Sequence, residues 1–207
     1  MAEVIGLFHD IGRFEQFERF RTFVDAASID HALLSRKVLE REGVLSDFSP
    51  EEKSIILDAI FHHNKLAIPS AFTGARRLMA ELIRDADKLD ILRVFDDLYR
   101  KGGADATVNL DLPCSDEVSN EVLKAFLHEE VVDFRDVKTT IDFLVMRLSW
   151  LYDINFPQTL KVVLRRGYLK TMDEQLGQTG WKAVILEKLE HYCSRRIGKQ
   201  NGKDLKT

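Results

Sequence analysis

Apolar residues recur at helical spacing along nearly the whole chain, and strict alternation of the kind that marks strands is rare. Val4, Ile5, Leu7 and Phe8 read as the last turns of an apolar helix over 4–8, with Gly12 as its stop. No start signal precedes that helix. Met1 stands where it is already under way, and the expectation is a natural segment that continues upstream. Asp30 predicts the cap of a helix over 30–42, closed by Gly43. Ser49 predicts the next cap, with Pro50 in the first turn and Glu51 and Glu52 at the positive end of a helix reaching His62. Pro69 marks a loop. The longest helical stretch runs over 73–99 and is stopped by Gly102 and Gly103. Residues 101–113 read as the clearest loop and the best internal boundary. Further helices are predicted over 115–129, 137–154, 157–166 and 181–197, with a polar, frayed tail over 198–207. The fold class is all-α, with seven to nine helices. The domain reading is a core over 1–104 and a helical extension over 105–207, packed on that core as one globular unit.

Composition narrows the function. With 30 basic and 34 acidic residues the formal charge is −4, and a protein built mainly to grip nucleic acid carries a basic excess instead. The longest apolar runs, such as 59–61 and 143–146, are too short to span a bilayer. Glu3, His9 and Asp10 interrupt the opening residues, so no signal peptide is read there. Two cysteines, Cys114 and Cys193, imply no disulfide framework, and a cytoplasmic setting is expected. There is no internal repeat, no Gly-rich phosphate loop and no serine elbow.

Chemistry concentrates near the start. Of six histidines, His9, His31, His62 and His63 fall in the first 63 residues, while His128 and His191 sit in charged, surface-like surroundings. The pair His9–Asp10 ends an apolar helix. By itself it fits a helix terminus with a satisfied imidazole as well as a metal site. His62 and His63 close another apolar helix, pointing about 100° apart, so one faces the interior while the other reaches outward. The bland alternative is a pair that favours the negative end of its helix. Along 73–99, Glu81, Arg84 and Lys88 share a polar sector, while Asp85, Asp87 and Asp90 fall among apolar positions. Buried carboxylates need partners, which a divalent metal, Arg13, Arg84 or Lys88 would provide.

The order His9–Asp10, His62–His63, then Asp87, carried in HDIGRF, DHA, HHN and RDADKLD, resembles the HD superfamily of metal-dependent phosphohydrolases over roughly residues 4–100. The resemblance implies an HD-type helical bundle with additional C-terminal helices. It implies a divalent-metal centre of one or two ions (Mn, Fe, Ni, Co, Zn or Mg) held by His9, Asp10, His31, His62, His63 and Asp87. Arg13 would hold a phosphate, with Lys65 and Lys88 as weaker candidates, and Asp10 and Arg13 would take catalytic roles. Asp85 and Asp90 would be structural. One departure stands out: the family's first histidine lies upstream of the His-Asp pair, and none of the residues before His9 is a histidine. The expected activity is hydrolysis of a nucleotide or other small phosphate ester by metal-activated water. A degenerate module that binds a nucleotide or a protein partner without turnover is the alternative. A homo-oligomer is compatible with either.

Phe14, Phe17 and Phe20 recur every third residue, among Arg13, Arg19 and Arg21. The preferred reading is a core-facing stripe; the other is a lid that stacks a nucleobase above the metals. Trp150 and Trp181 are expected in the core.

Overall fold

A computed structural model describes residues 1–101, 112–177 and 179–201. These hold ten α-helices and three short 3-10 helices, with no strand among the described residues. No helix among them is long and apolar enough to cross a membrane. The all-α expectation holds. Residues 102–111 of the predicted 101–113 loop, and 202–207 of the predicted tail, lie outside the described residues.

The chain forms two compact units, Met1–Asp87 and Lys88–Thr207. The boundary falls inside a helix rather than at 104. The reason is local: Leu89, Leu92 and Phe95 pack with the second unit's core, so the later turns of their helix belong there.

The first unit holds α1 (Ala2–Phe8), α2 (Gly12–Phe20), α3 (His31–Glu42), α4 (Pro50–His62) and the opening turns of α5 (Gly74–Arg100). Its core is Ile5, Leu39, Leu45, Ile56, Ala59, Ile60 and Ile83. The predicted caps form. Asp30 accepts from the Ala32 and Leu33 amides. Ser49 and Glu52 make a reciprocal capping box with Pro50 beside it. Gly43 ends α3 at φ 64°, a left-handed position that glycine adopts without a Cβ penalty.

Gly12 is not the stop of the first helix. It opens α2 and is buried against α3, its amide donating to Ser35 Oγ at 2.9 Å. An added Cβ would lie 2.4 Å from Ser35 N and 2.7 Å from His31 O, so only glycine permits this approach. The buried face of α2 is Gly12 and Gln16. Phe14 lies about 200° round the helix from Gly12, and Phe14, Phe17 and Phe20 are exposed, which overturns the core-stripe expectation.

The second unit holds the later turns of α5 with α6 (Asn120–Leu127), α7 (Thr140–Ser149), α8 (Pro157–Arg166), α9 (Tyr168–Leu176) and α10 (Lys182–Asn201). Phe126, Leu148, Leu151, Leu160, Ile185 and Leu189 lie at its centre. The predicted 115–129 and 137–154 helices are shorter than the pattern implied. α7 gives way to a 3-10 turn over Trp150–Asp153, and α9 was not predicted at all. Trp150 packs partly buried against the core, while Trp181 is exposed, contrary to expectation.

Candidate metal centre

Four short pieces of the first unit bring the site together. The turn between α1 and α2 supplies His9 and Asp10, the start of α3 supplies His31, the end of α4 supplies His63, and α5 supplies Asp87. His63 is the cap residue of α4, half a step beyond its last turn, and is almost wholly buried. The α4 terminus is fixed by the buried Arg84, whose Nη1 donates to the carbonyls of His62 at 3.2 Å, His63 at 3.5 Å and Lys65. Its Nη2 reaches the Leu66 carbonyl at 3.4 Å. A guanidinium thus satisfies carbonyls that the helix leaves without donors.

Each of three imidazoles is oriented from behind. His9 Nδ1 donates to the Gly6 carbonyl at 2.9 Å, His63 Nδ1 to the Ile60 carbonyl at 2.6 Å, and His31 Nδ1 to Asp25 Oδ2 at 2.6 Å. With the Nδ1 protons committed, the neutral rings present lone pairs at Nε2. Those lone pairs converge. His31 Nε2 lies 3.0 Å from His63 Nε2. Asp10 Oδ1 lies 3.4 Å from the first and 3.6 Å from the second, and is buried without a hydrogen-bond partner. On the other side of Asp10, His9 Nε2 stands 3.9 Å from Asp10 Oδ2 and 3.6 Å from Asp87 Oδ1.

Acceptors facing acceptors at these distances repel unless a positive centre joins them. Two ligands about 2.1 Å from one ion lie about 3.0 Å apart at a right angle and about 3.4 Å apart at a tetrahedral angle. The His31–His63 and His31–Asp10 separations match those edges and the His63–Asp10 separation lies just beyond the longer one, so the residues present fit a divalent ion. Burial raises the Asp10 pKa, but His63, Arg13, His9 and His31 outweigh it and hold Asp10 well below the usual carboxylate range. Burial lowers that of His9, but Asp87, the Gly6 carbonyl and Asp10 leave it raised.

Around this centre lies a second ring of contacts. Asp25 accepts from His31 and from Gln16 Nε2 at 2.9 Å, and Gln16 also donates to Ser28 Oγ and the Ile29 carbonyl. Asn64 Nδ2 donates to Asp30 Oδ1 at 3.0 Å and to Asp25 Oδ2 at 3.3 Å. Arg13 lies beside the centre, its Nε 3.6 Å from Asp10 Oδ2, its Nη2 3.3 Å from His31 Nε2 and its Nη1 donating to the Phe23 carbonyl at 2.8 Å.

Not every predicted residue joins. His62 turns away between the rings of Phe61 and Phe72, at 4.8 and 5.1 Å, with burial and the charges of Lys65, Arg36 and Arg84 lowering its pKa. Lys65 is committed to Asp30 and to Asn64 Oδ1, and Lys88 to Asp153 at 2.7 Å. Neither is placed to hold a phosphate. Asp85 is buried, but Asp90 is exposed and pairs with Arg93, so it does not share the apolar sector. Asp25, Gln16 and Asn64 were not found from sequence. Nothing in spacing separates Asp25 from the other aspartates, and the contacts that recruit it are made across a loop.

Histidines and carboxylates from separate helices of one unit thus converge on one point, a donor set of the kind that holds a metal ion. The family model described as HD domain matches residues 1–92, which supports HD superfamily membership for that part of the chain. That family binds divalent metals and belongs to a superfamily of metal-dependent phosphohydrolases. Comparison with curated proteins and with solved structures gives no match.

Proposed function

We propose that the first unit is the centre of a metal-dependent phosphohydrolase acting on a nucleotide or another small phosphate ester. The observation that carries the reading is the meeting of His31 Nε2, His63 Nε2 and the partnerless Asp10 Oδ1, a lone-pair cluster suited to a cation. His31, His63 and Asp10 would hold one ion, and His9 and Asp87 with Asp10 would complete that shell or hold a second. A divalent ion there supplies Lewis acidity, acidifying water and neutralising phosphoryl charge. The protein's own groups do the rest. Asp25 and the Ile60 carbonyl keep the His31 and His63 rings in the tautomer that presents Nε2. Arg13 is oriented by the Phe23 carbonyl and Asp25, with a fork suited to a phosphate oxygen as charge develops. Asp10 or His9 would take a proton from the attacking water. No covalent nucleophile is required. A small-molecule substrate, no specific nucleic-acid binding and a cytoplasmic setting complete the reading.

The test is metal content by elemental analysis after loading with Mn²⁺ or Ni²⁺, followed by a phosphoesterase panel. One or two retained ions per chain, lost together with hydrolysis in His63→Ala and Asp10→Ala, is the expected result. Metal-free wild type, or variants that keep both metal and activity, would overturn it. Metal retention without turnover of any ester would leave a binding module in its place.

A further inference from the structure

Gln16 lies wholly buried on the inner face of α2, a place an amide takes only when both of its ends are satisfied. Here they are, and the partners fix which end is which. Oε1 accepts from Arg13 Nη1 at 3.2 Å. Nε2 donates towards Asp25 Oδ1 at 2.9 Å, Ser28 Oγ at 2.9 Å and the Ile29 carbonyl at 3.0 Å. A guanidinium only donates and a carboxylate only accepts, so the amide cannot be turned round. The Ser28 hydroxyl donates its own proton to the Val24 carbonyl at 2.8 Å, which leaves its oxygen as an acceptor for Gln16.

The amide therefore touches two opposite charges at once. Arg13 Nη1 is 3.5 Å from Asp25 Oδ1, close enough to attract and too far for a good hydrogen bond. Each of the two has other work. Asp25 Oδ2 holds His31 Nδ1 at 2.6 Å. Arg13 sends Nε towards Asp10 Oδ2 at 3.6 Å and Nη2 towards His31 Nε2 at 3.3 Å. An arginine and an aspartate left to themselves at such a distance close into a two-bond pair, the geometry that their planar forks fit best. Closure here would draw Asp25 off the imidazole and turn the Arg13 fork away from Asp10.

We propose that Gln16 is the positioning residue of the site, a neutral spacer that keeps Arg13 and Asp25 from closing on one another. It accepts from the first and donates to the second, so Asp25 stays behind His31 and Arg13 stays beside Asp10. This deepens the phosphohydrolase reading, from which it takes the metal and the phosphate. The residue type follows from the two ends. Glutamate has no donor for Asp25, and methionine of similar length offers a good partner to neither charge.

Gln16→Met and Ser28→Ala in the full chain give the test. Nitrogen-15 NMR of the imidazoles at about pH 8, where an ordinary imidazole is neutral, needs no metal. The wild type is expected to hold His31 in the single form protonated at Nδ1, and Gln16→Met to show both tautomers. In titrations, Gln16→Met should bind Mn²⁺ about tenfold more weakly, and its Mn²⁺-loaded form should bind inorganic phosphate more weakly than the loaded wild type. Ser28→Ala leaves two acceptors for the two amide protons of Gln16 and should match the wild type in all three readings. Circular dichroism checks the fold. Should Gln16→Met not fold, Gln16→Glu, which keeps an oxygen for Arg13 and loses the donor to Asp25, should show the same mixture of tautomers. A single His31 tautomer in the Gln16 variants, unchanged affinity for either probe that the wild type binds, or equal losses in Ser28→Ala would overturn the spacer role. A wild type that binds no Mn²⁺, beside a Gln16→Met chain with mixed tautomers, would support the spacer and sink the metal reading, so the two fail separately.

Discussion

Asp30 shows how much one side chain is asked to do beside the metal centre. It caps α3, accepts from Asn64 and pairs with Lys65, and it precedes His31 in the chain. Burial raises its pKa, but Lys65, Asn64 and the Leu33 amide outweigh it and hold the group at about 2 against an ordinary 3.8. A carboxylate with a depressed folded pKa stabilises above its unfolded value, and that contribution is lost as pH falls towards the folded value. Asp30→Asn keeps a capping oxygen and loses the charge. The gap in melting temperature between wild type and this variant is therefore expected to be flat from about pH 8 to about pH 5 and to close as pH falls from about 4 towards 2. Thermal scans across that range check it; a gap unchanged at the acid end would contradict the assignment. The same scale shows what a sequence can carry. His9, Asp10, His31 and Asp87 could be singled out because residue type and order mark them, and the structure brings them together with His63. Which of His62 and His63 faces inward could not be read, because adjacent positions on a helix differ only by rotation. Asp25, and the work Arg84 does at the end of α4, were hidden for another reason: bonds to loops and carbonyls leave no pattern in one dimension.

At the scale of elements, the close approach of α2 to α3 decides whether the site assembles. The Gly12 position tolerates no Cβ, and its amide is bonded to Ser35. Gly12→Ala must push α2 outward, carrying Arg13 away from Asp10 and Gln16 away from Asp25. The expected cost is about 1–3 kcal/mol of stability, the range for overpacking, with weaker Mn²⁺ binding. Ser35→Ala, which loses one hydrogen bond and no space, should cost about 1 kcal/mol. Denaturant unfolding of the two variants distinguishes them; equal and small effects would mean that the approach is looser than described. Helix starts were legible here because Asp30, Ser49 and Pro50 announce themselves. The direction in which α2 faces was not. Three phenylalanines outvote one glycine and one glutamine on any hydrophobicity scale, yet the backbone fit at Gly12 and the hydrogen bonds of Gln16 put the polar pair inside.

For the whole molecule, the division at Asp87 makes a prediction of its own. All the candidate ligands lie in Met1–Asp87, while Lys88–Thr207 has a separate core. Mn²⁺ stabilises whatever binds it by mass action. Hydrogen exchange followed peptide by peptide should therefore show metal-dependent protection in α1 to α4 and none in α7 to α10. Added protection throughout α10 would show instead that the two units open as one. The sequence signalled a boundary in the glycine-rich stretch after α5, because punctuation residues are visible there. It could not signal one within α5, since a continuous helix carries no mark of which core each of its turns serves.

That continuity limits how the chain can vary in length. α5 runs unbroken for 27 residues from one unit into the other. A single codon gained or lost near Asp87 would turn every later residue by about 100° and shift it by about 1.5 Å along the axis. Between Ile83 and Asp87 such a change would carry Asp87 away from the histidines, and between Leu89 and Leu92 it would carry Leu92 away from its core. A turn between helices carries no such rotational register. Length changes among natural or engineered forms of this protein should therefore collect in such turns, while α5 keeps its residue count even where its exposed side chains change.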